Sequence, residues 1–488
     1  MISRIRFAFL MPLIFQTISL DSAESIKVEN APTRHAFFGD LHVHTAFSTD
    51  ARIFGTVARP DDAYRFAKGE AIEFQNFGKI QLKYGALAFM AVTDHAEYLG
   101  VLGMVEDPKK ELGFDIKDTI TAFNRIGTAK QTGVPLVEMD RPDLSRSAWQ
   151  EVVDAAEQHY QPGQLTTFVG FEWTTTTKNG ASHRNVIFRG NDVADKPFSM
   201  FDSAYAESKN FNPYKFGMIG STDSHNAASI FEEENYISKA GKITATPVAR
   251  LFASNVTFLQ RMFQKQVPSL WGSAGLAVVC AEENTRESIY DALRRRETYA
   301  TTGTRIRVRF FAGYGFADNL NKQPDLMSKA YEQGVPMSGD LSAINDGAAP
   351  KFLVWASRDA NSSPLQRIQI IKGWIENGAP REKVFDVVGS DGLLPDPITH
   401  RIPDNGAGVE LDTGRWDENK GAAQLSALGS DPEFNAGQRV FYYARVLENP
   451  KLRWSTHDAN TLGIEPLEDL PVTIQERAFT SPIWYSPK

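Results

Sequence analysis

Two histidines and two carboxylates lie within eleven residues of the segment 37–50, FFGDLHVHTAFSTD. If residues 37–44 form a strand, Asp40, His42 and His44 project to the same face, about 6 to 7 Å apart along the chain. Two imidazoles placed in this way can bind one divalent ion. Imidazole and carboxylate ligands suit zinc, manganese or iron better than calcium or magnesium, and no neighbouring cysteine completes a closed structural zinc site. The segment therefore predicts an open, catalytic metal site, with a surface pair of histidines as the alternative.

Metal-ligand residue types recur where three later apolar runs end. The run 86–92 leads into Asp94 and His95, the run 166–173 contains Glu172, and the run 216–221 leads into Asp223 and His225. Short continuous apolar runs are typical of strands that are buried on both faces of a parallel sheet. Loops after such strands form the active face of barrel enzymes, so we expect these side chains to converge. For Glu172, a salt bridge to an arginine elsewhere in the chain is the alternative to metal ligation.

The spacing between Glu172 and His183 raises a difficulty. A two-residue hairpin turn at Asn179 and Gly180 places His183 opposite Thr176. His183 then lies about 13 Å from Glu172, too far for both to bind one ion. Either the connection is a wider loop, or the two residues bind different ions.

The elements that must position these residues alternate between strands and helices. Residues 60–68 predict a short helix with Pro60 in its first turn, and Ser147 with Gln150 predicts the capped start of a helix whose last turn contains His159. His159 there complements the helix dipole, so its predicted role is structural. The strand 276–281 precedes a helix capped by Asn284 and running to about residue 296. Together these elements predict an α/β barrel over about residues 30–305.

Beyond residue 305 the pattern changes to alternating β segments separated by loops rich in proline, glycine and asparagine. The predicted strands cover residues 306–311, 352–356, 367–371 and 440–447. Residues 306–488 are therefore expected to form a second, mostly β domain.

Composition restricts the partners. The 488-residue chain has 42% apolar and 11% aromatic residues, enough for a large core. Its formal charge of −8 disfavours nucleic acid or an anionic membrane as the main partner. A small anionic substrate fits if metal ions supply positive charge locally.

The first 25 residues predict a secretory signal peptide, because Arg4 and Arg6 precede an apolar run over residues 7–15. That run is too short for a stable membrane anchor. Cys280, the only cysteine, lies in an apolar run and is expected to be a small buried residue. A leader without disulfides favours a periplasmic or secreted bacterial protein.

The ordered set HxH, TDH, Glu, His and DxH over residues 36–230 resembles the PHP superfamily of polymerase and histidinol phosphatase domains. The segments FFGDLHVHT, GFEW, HRNVIF, YATTGTRI and SPIWYSP also resemble a bacterial PHP-related family of unknown function. The resemblance implies a distorted seven-stranded (β/α) barrel, two or three zinc, manganese or iron ions, and hydrolysis, most often of phosphoesters. The metal ligands that it implies are His42, His44, Asp50, His95, Glu172, His183, Asp223 and His225.

No histidine lies between His183 and Asp223, where the fullest pattern of the superfamily has one. The sequence therefore predicts two firmly held ions rather than three. Asp192, Asp195 and Asp202 are the candidates for a substitute ligand.

The predicted reaction is metal-assisted hydrolysis, in which two ions about 3.5 to 4 Å apart activate water and stabilise the attacking and leaving oxygens. Glu172 bridges the ions in this hypothesis, while Asp94 or Asp40 orients the ligand histidines. A strand-end cap is the alternative role for Asp94. Arg184 and Arg305 are candidates for binding the substrate anion, with surface salt bridges as the alternative.

Two other functions fit the same residues. The same metals can hydrolyse a carboxylic ester, a lactone or an amide. A secreted binding protein whose metals only stabilise the fold is the alternative from another class.

Overall fold

A computed structural model describes residues 16–19, 34–74, 77–177, 180–202, 216–252, 271–344 and 347–487. Apart from residues 16–19, the predicted signal peptide lies outside the described residues, and it stays a prediction. Those four residues form a strand that pairs with residues 425–428. In the part of the chain that the structure describes, no helix is both long enough and apolar enough to cross a membrane.

The described strands range from two to twelve residues in length. They are β1 (Gln16–Ser19), β2 (His35–Val43), β3 (Ile72–Glu73), β4 (Lys79–Ile80), β5 (Phe89–Val92), β6 (Thr166–Phe168), β7 (Gly170–Thr177), β8 (Gly180–Ile187), β9 (Leu276–Ala281), β10 (Thr298–Thr301), β11 (Arg307–Gly313), β12 (Val335–Pro336), β13 (Asp340–Ser342), β14 (Lys351–Ser357), β15 (Leu365–Glu376), β16 (Ala379–Gly389), β17 (Gln424–Ser430), β18 (Val440–Glu448), β19 (Lys451–Leu452), β20 (Thr473–Ile474), β21 (Arg477–Thr480) and β22 (Ile483–Ser486).

The described helices lie mainly in the first half of the chain. They are α1 (Thr49–Ile53), α2 (Pro60–Ala67), α3 (Pro108–Leu112), α4 (Thr119–Thr132), α5 (Pro142–His159), α6 (Pro247–Phe252), α7 (Arg286–Arg295), α8 (Leu326–Gln333) and α9 (Trp454–Leu462).

A large mixed sheet runs through both halves of the chain, in the order β13-β22-β18-β21-β10-β9-β2-β5-β6, with β15 and β16 joined through β18. Strands β2, β5 and β6 are parallel, whereas β9 is antiparallel to β2. Strand β10 pairs with β21, so the segments 30–305 and 306–488 share this sheet. The fold is mixed α/β with a mostly β C-terminal region, as the sequence predicted. The order of hydrogen-bonded strands is open, and no closed barrel forms among the described residues.

The buried apolar runs account for the central strands. All four residues of β5 and all six of β9 are buried, as expected for strands covered on both faces. Helix α2 begins at Pro60, whose fixed φ suits the first turn, and the Asp62 carboxylate accepts a 3.0 Å hydrogen bond from the backbone N–H of Arg59. Cys280 is fully buried in β9, which agrees with the sequence prediction.

Several predicted boundaries are wrong. Helix α5 begins at Pro142, five residues before the predicted cap at Ser147, because proline already suits the first helical turn. Helix α7 is capped by Thr285 rather than Asn284, since the Thr285 side chain accepts the N–H of Ser288. Residues 216–221 are not a regular strand; the chain joins the sheet only at Ser224, which bridges to Val43.

His159 occupies the last turn of α5, as predicted. It is buried, and its Nε2 lies 2.8 Å from Oδ1 of Asp61 in α2. This contact joins the two helices, which agrees with a structural role.

Candidate metal centre

The carboxyl ends of the parallel strands converge on one cluster of histidines and carboxylates. His42 lies in β2 and His44 directly follows it, while His95 lies three residues beyond β5. Two isolated parallel bridges extend this edge: Val43 pairs with Ser224, and His95 pairs with Glu172. The side chains that meet here are His42, His44, Asp50, His95, Glu172, His183, Asp223 and His225.

Glu172 lies at the middle of the cluster and is fully buried. Its Oε2 is 3.3 Å from Nε2 of His42, 3.3 Å from Nε2 of His44 and 3.2 Å from Nδ1 of His95. Its Oε1 contacts Nδ1 of His183. One carboxylate therefore contacts four imidazoles, which is the geometry expected of a bridging ligand rather than of a salt bridge to arginine.

Asp223 is a second carboxylate shared between histidines. Its Oδ1 is 3.5 Å from Nε2 of His42 and 3.3 Å from Nε2 of His44. The backbone of Asp223 has a φ of +49°, in the left-handed region that aspartate tolerates better than most residues. This conformation belongs to the turn that carries Asp223 and His225 to the cluster.

Asp50, in α1, completes the cluster on its other side. Its Oδ2 lies 3.1 Å from Nε2 of His95 and 3.2 Å from Nε2 of His225. Three overlapping groups result, each with its ligand atoms within 4.8 Å of one another. They are His44 with Asp50, His95 and His225; His42 with His44 and Asp223; and His95 with Glu172 and His183.

Three buried atoms at the middle of this cluster have no hydrogen-bonding partner within the described residues: Nε2 of His42, Nε2 of His44 and Oε2 of Glu172. Buried polar atoms are normally paired, because leaving one unsatisfied costs about 1 to 3 kcal/mol. Imidazole nitrogens and carboxylate oxygens that point at one another can share a divalent cation as their common partner. The residues present therefore suit a metal ion.

Ser48 fixes the tautomer of His44. The Ser48 hydroxyl donates its hydrogen to Oδ1 of Asp94 at 2.8 Å, so it accepts a hydrogen bond from Nδ1–H of His44 at 2.7 Å. It also accepts from the backbone N–H of His95 at 3.0 Å. An imidazole protonated on Nδ1 carries its lone pair on Nε2, which is the nitrogen that faces the cluster.

The electrostatic environment keeps His44 neutral. Burial, together with the charge of nearby His225, lowers the pKa of His44 to about 3. Its Nε2 lone pair thus lies 3.3 Å from a carboxylate oxygen of Glu172 and 3.3 Å from one of Asp223. A cation placed between these atoms would make that arrangement favourable.

The three cluster carboxylates stay ionised. Burial alone would raise the pKa of Asp50, Glu172 and Asp223, but the neighbouring imidazoles outweigh it and hold each pKa below its usual range. Burial also opposes protonation of His42 and His225, yet the adjacent carboxylates outweigh it and raise both pKa values. Three ionised carboxylates among imidazoles therefore form a donor set that suits a divalent cation.

A family model described as "Protein of unknown function (DUF3604)" matches residues 31–209 and 204–487. The chain belongs to this family. No curated protein and no solved structure matches the chain.

In this DUF3604 chain, Asp94 and Asp40 lie behind the ligands. Asp94 accepts two 2.6 Å hydrogen bonds from Thr45, one from N–H and one from Oγ1–H, besides the one from Ser48. It therefore caps the end of the strand and also orients His44 through Ser48. Asp40 accepts the backbone N–H of His42 at 3.1 Å, so it fixes that peptide rather than the imidazole.

Asp40 also joins the DUF3604 chain's first and last motifs. Its carboxylate accepts the N–H of Thr222 at 3.2 Å and a hydrogen bond from the Thr222 hydroxyl. Burial raises the pKa of both Asp40 and Asp94 in spite of these hydrogen bonds. Their role is to hold backbone and tautomers in place.

The hairpin prediction was wrong in its register. Thr177 pairs with Gly180, and His183 pairs with Thr174 instead of Thr176. This register differs from the predicted one by two residues, which moves His183 about 7 Å closer to Glu172 along the strand. The two side chains are therefore in contact, and neither a wider loop nor separate ions is required.

Neither predicted anion-binding arginine reaches the cluster through a contact that the structure shows. Arg184 pairs with Trp173 across the hairpin, on the face opposite His183, and its guanidinium lies 5.3 Å from the Trp173 ring centre. Arg305 donates to the carbonyl of Gly85 at 2.7 Å.

The three candidate substitute ligands also lie outside the three metal-type groups. Asp195 pairs with Arg146 and Asp202 with Lys196, while Asp192 is exposed.

Sequence reasoning missed three polar residues of the site. Ser48 lies four positions after His44, and Thr174 lies 3.0 Å from Nδ1 of His95. Lys239 forms an ion pair with Asp223 Oδ2, across sixteen residues of irregular chain. The i, i+4 spacing of His44 and Ser48 was a usable signal, whereas nothing in the local sequence marked Lys239.

Proposed function

We propose that this protein is a metal-dependent hydrolase, and that its substrates are phosphoesters. The buried Glu172 carboxylate carries the proposal, because it contacts His42, His44, His95 and His183 while its Oε2 accepts no geometrically normal hydrogen bond from the described residues. Such an atom among imidazole nitrogens fits a bridge between cations. The three overlapping ligand groups support two or three ions of zinc, manganese or iron.

When bound, the ions would supply an activated water and charge stabilisation for an in-line displacement. The protein's own residues prepare that chemistry. Ser48 and Asp94 hold His44 with Nε2 unprotonated, and Asp40 fixes the peptide of His42. Preorganised ligands of this kind cost no rearrangement at the moment of reaction.

Access to the centre supports a reaction with a dissolved substrate. The His183 side chain is 48% exposed and the Asp223 side chain 38%, whereas those of His44 and Glu172 are both 1% exposed. The cluster is therefore closed at its base and open on one side. Catalytic metal sites keep such an open position, and structural sites do not.

Three further proposals follow from the same residues. The parallel strands β2, β5 and β6, with the bridges at Ser224 and Glu172, would be part of a distorted (β/α)7-type barrel related to the PHP superfamily. The N-terminal leader would direct the protein to the periplasm or the medium. The substrate would be a small anion and the metals would offset its charge.

The test begins with elemental analysis of the purified protein. Turnover is then measured with an aryl phosphate, a phosphodiester, a phosphonate, a carboxylic ester and a lactone, with added manganese or zinc. We expect phosphoester hydrolysis that chelation abolishes. Preferred hydrolysis of the carboxylic ester or lactone would indicate a hydrolase that acts at a carbonyl carbon instead of a phosphoesterase.

Variants connect the activity to the cluster. His42→Ala and His44→Ala are compared with His35→Ala, a matched control on the exposed start of the same strand. The first two variants should lose metal and turnover, and the control should keep both. A wild-type protein that retains metal but hydrolyses nothing in the panel would favour the binding protein instead.

A further inference from the structure

A cavity of about 420 Å³ adjoins the metal centre on the side of Asp223. Residues 222 and 224, which flank Asp223 in the chain, form part of its wall. The other lining residues that matter are Ser221, Tyr236, Ser238, Lys239 and Trp271. The volume falls within the range of about 300 to 1,000 Å³ that small-molecule sites occupy.

Lys239 lies at the junction between this cavity and the metal centre. Its ammonium forms an ion pair with Oδ2 of Asp223, the oxygen turned away from His42 and His44. The lysine side chain is 42% exposed. A cation in this position can contact an anionic group held at the centre and remain accessible from the cavity.

Two buried hydroxyls in the cavity wall keep unused hydrogen-bonding capacity. Ser221 Oγ has no hydrogen bond within the described residues, and Ser238 Oγ interacts there with the phenol of Tyr236 alone. Ser238 itself is 4% exposed. Buried hydroxyls usually have partners, so these two are suited to a ligand's polar atoms.

The other hydroxyls of the wall are already used. Thr222 donates to Asp40, Ser224 to Asn226 and Ser273 to Glu233. The contrast separates Ser221 and Ser238 from hydroxyls that only stabilise the fold. The aromatic residues Tyr236 and Trp271 complete a wall of mixed polarity.

Resting on the function proposed above, we propose that this cavity holds the alcohol part of the substrate, which is a phosphomonoester of a hydroxyl-bearing alcohol of about sugar size. Lys239 contacts the phosphoryl group, and the hydroxyls of Ser221 and Ser238 bind hydroxyls of the alcohol. Hydrolysis breaks the ester P–O bond and forms a new P–O bond from water. One proton of that water goes to the departing alcohol and the other stays with the phosphate.

The experiment measures binding as well as turnover. Metal content is determined first for wild type, Lys239→Met, Lys239→Arg and the double variant Ser221→Ala, Ser238→Ala. Lys83→Met is the matched control, because Lys83 pairs with Glu234 away from the lining of this cavity. Inorganic phosphate and the non-hydrolysable methylene-phosphonate analogue of glucose 6-phosphate are then titrated into each metal-loaded protein by calorimetry.

We expect Lys239→Met to bind both ligands about 10- to 100-fold more weakly, since it loses one charge-assisted contact. Lys239→Arg should recover part of the affinity. The double serine variant should keep its affinity for inorganic phosphate but bind the phosphonate analogue about tenfold more weakly. Its KM for the sugar phosphate should rise, whereas its KM for an aryl phosphate should not.

Unchanged phosphate affinity in Lys239→Met at equal metal content would overturn the role of Lys239. An equal loss of affinity for both ligands in the double serine variant would overturn the assignment of the alcohol subsite. In either case, hydrolysis of phosphomonoesters by the wild-type protein would still support the proposed function. A metal-loaded wild type that hydrolyses no phosphomonoester would overturn both proposals together.

Discussion

Replacing Ser48 by alanine tests how the protein prepares His44 to bind metal. The Ser48 hydroxyl accepts hydrogen bonds from Nδ1–H of His44 at 2.7 Å and from the N–H of His95 at 3.0 Å, and it donates to Asp94 at 2.8 Å. Ser48→Ala removes all three contacts and no group that faces the metal centre. His44 can then adopt the tautomer with the proton on Nε2, which does not bind metal.

The size of the effect follows from these contacts. Loss of a partner that orients a ligand histidine typically weakens metal binding 10- to 100-fold, or about 1.4 to 2.7 kcal/mol. At a free metal concentration 100 times the wild-type Kd, metal stabilises the wild type by about 2.7 kcal/mol. A tenfold weaker variant would gain only about 1.4 kcal/mol at the same concentration. The metal-free variant should also lose about 1 to 3 kcal/mol, because the buried N–H of His95 is left unpaired.

The assay measures the metal Kd by competition with a chromogenic chelator and the Tm with and without metal. Thr45→Val is the matched control. Thr45 Oγ1 donates to the same Asp94 carboxylate at 2.6 Å and accepts the N–H of Phe47 at 3.2 Å, but it contacts no histidine of the cluster. We expect Thr45→Val to lose comparable stability without metal and to change the metal Kd by less than about threefold.

Two results would refute the reasoning. One is an unchanged metal Kd in Ser48→Ala, which would mean that Ser48 does not select the tautomer. The other is an equal loss of affinity in both variants, which would assign the effect to Asp94 or to general loosening of the strand end.

Three more predictions address the centre and the rest of the fold. Glu172→Gln keeps the side-chain volume but removes the negative charge shared by the histidines, so its metal content and turnover should fall to those of chelated wild type. Retained metal at wild-type stoichiometry would contradict the bridging role of Glu172. Chelation of the wild type should lower its Tm and added zinc or manganese should restore it, whereas a Tm indifferent to chelation would mean that no metal is bound at equilibrium. Burial raises the pKa of Glu448 from its ordinary value of 4.5 to about 8. Between these two pH values the unfolded chain has released the Glu448 proton and the folded chain retains it, so wild-type stability falls as pH rises. Glu448→Gln removes this pH dependence, so the Tm of the variant minus that of wild type should be larger at pH 8 than at pH 5. A Tm difference that does not change with pH would contradict a buried, protonated Glu448 carboxyl.

Local spacing singled out several of the residues that meet in the cluster. His42 and His44 were predictable because side chains two apart on a strand lie on the same face, and His95 because it follows a fully buried strand. Glu172 stood out because a carboxylate inside an apolar run needs a compensating partner. These arguments use only neighbours within a few residues, where the backbone geometry is nearly fixed by secondary structure.

Contacts between distant segments were not predictable in the same way. The register of β7 on β8 differs by two residues from the predicted one, and this difference decided whether His183 reached Glu172. Which positively charged side chain lies near the site was also open, and Lys239, which no sequence pattern marked, contacts a cluster carboxylate.

The sequence by itself determined the residue types of the centre, the buried strands that carry most of them and the mostly β character of the C-terminal half. Only the tertiary structure decided which atoms face one another, that β10 and β21 join the two halves in one sheet, and that Ser48 stands between Asp94 and His44. The physical reason is the distance along the chain over which each effect acts. Strand periodicity and burial act over a few residues, whereas register, tautomer and charge pairing are set by groups that folding brings together from far along the chain.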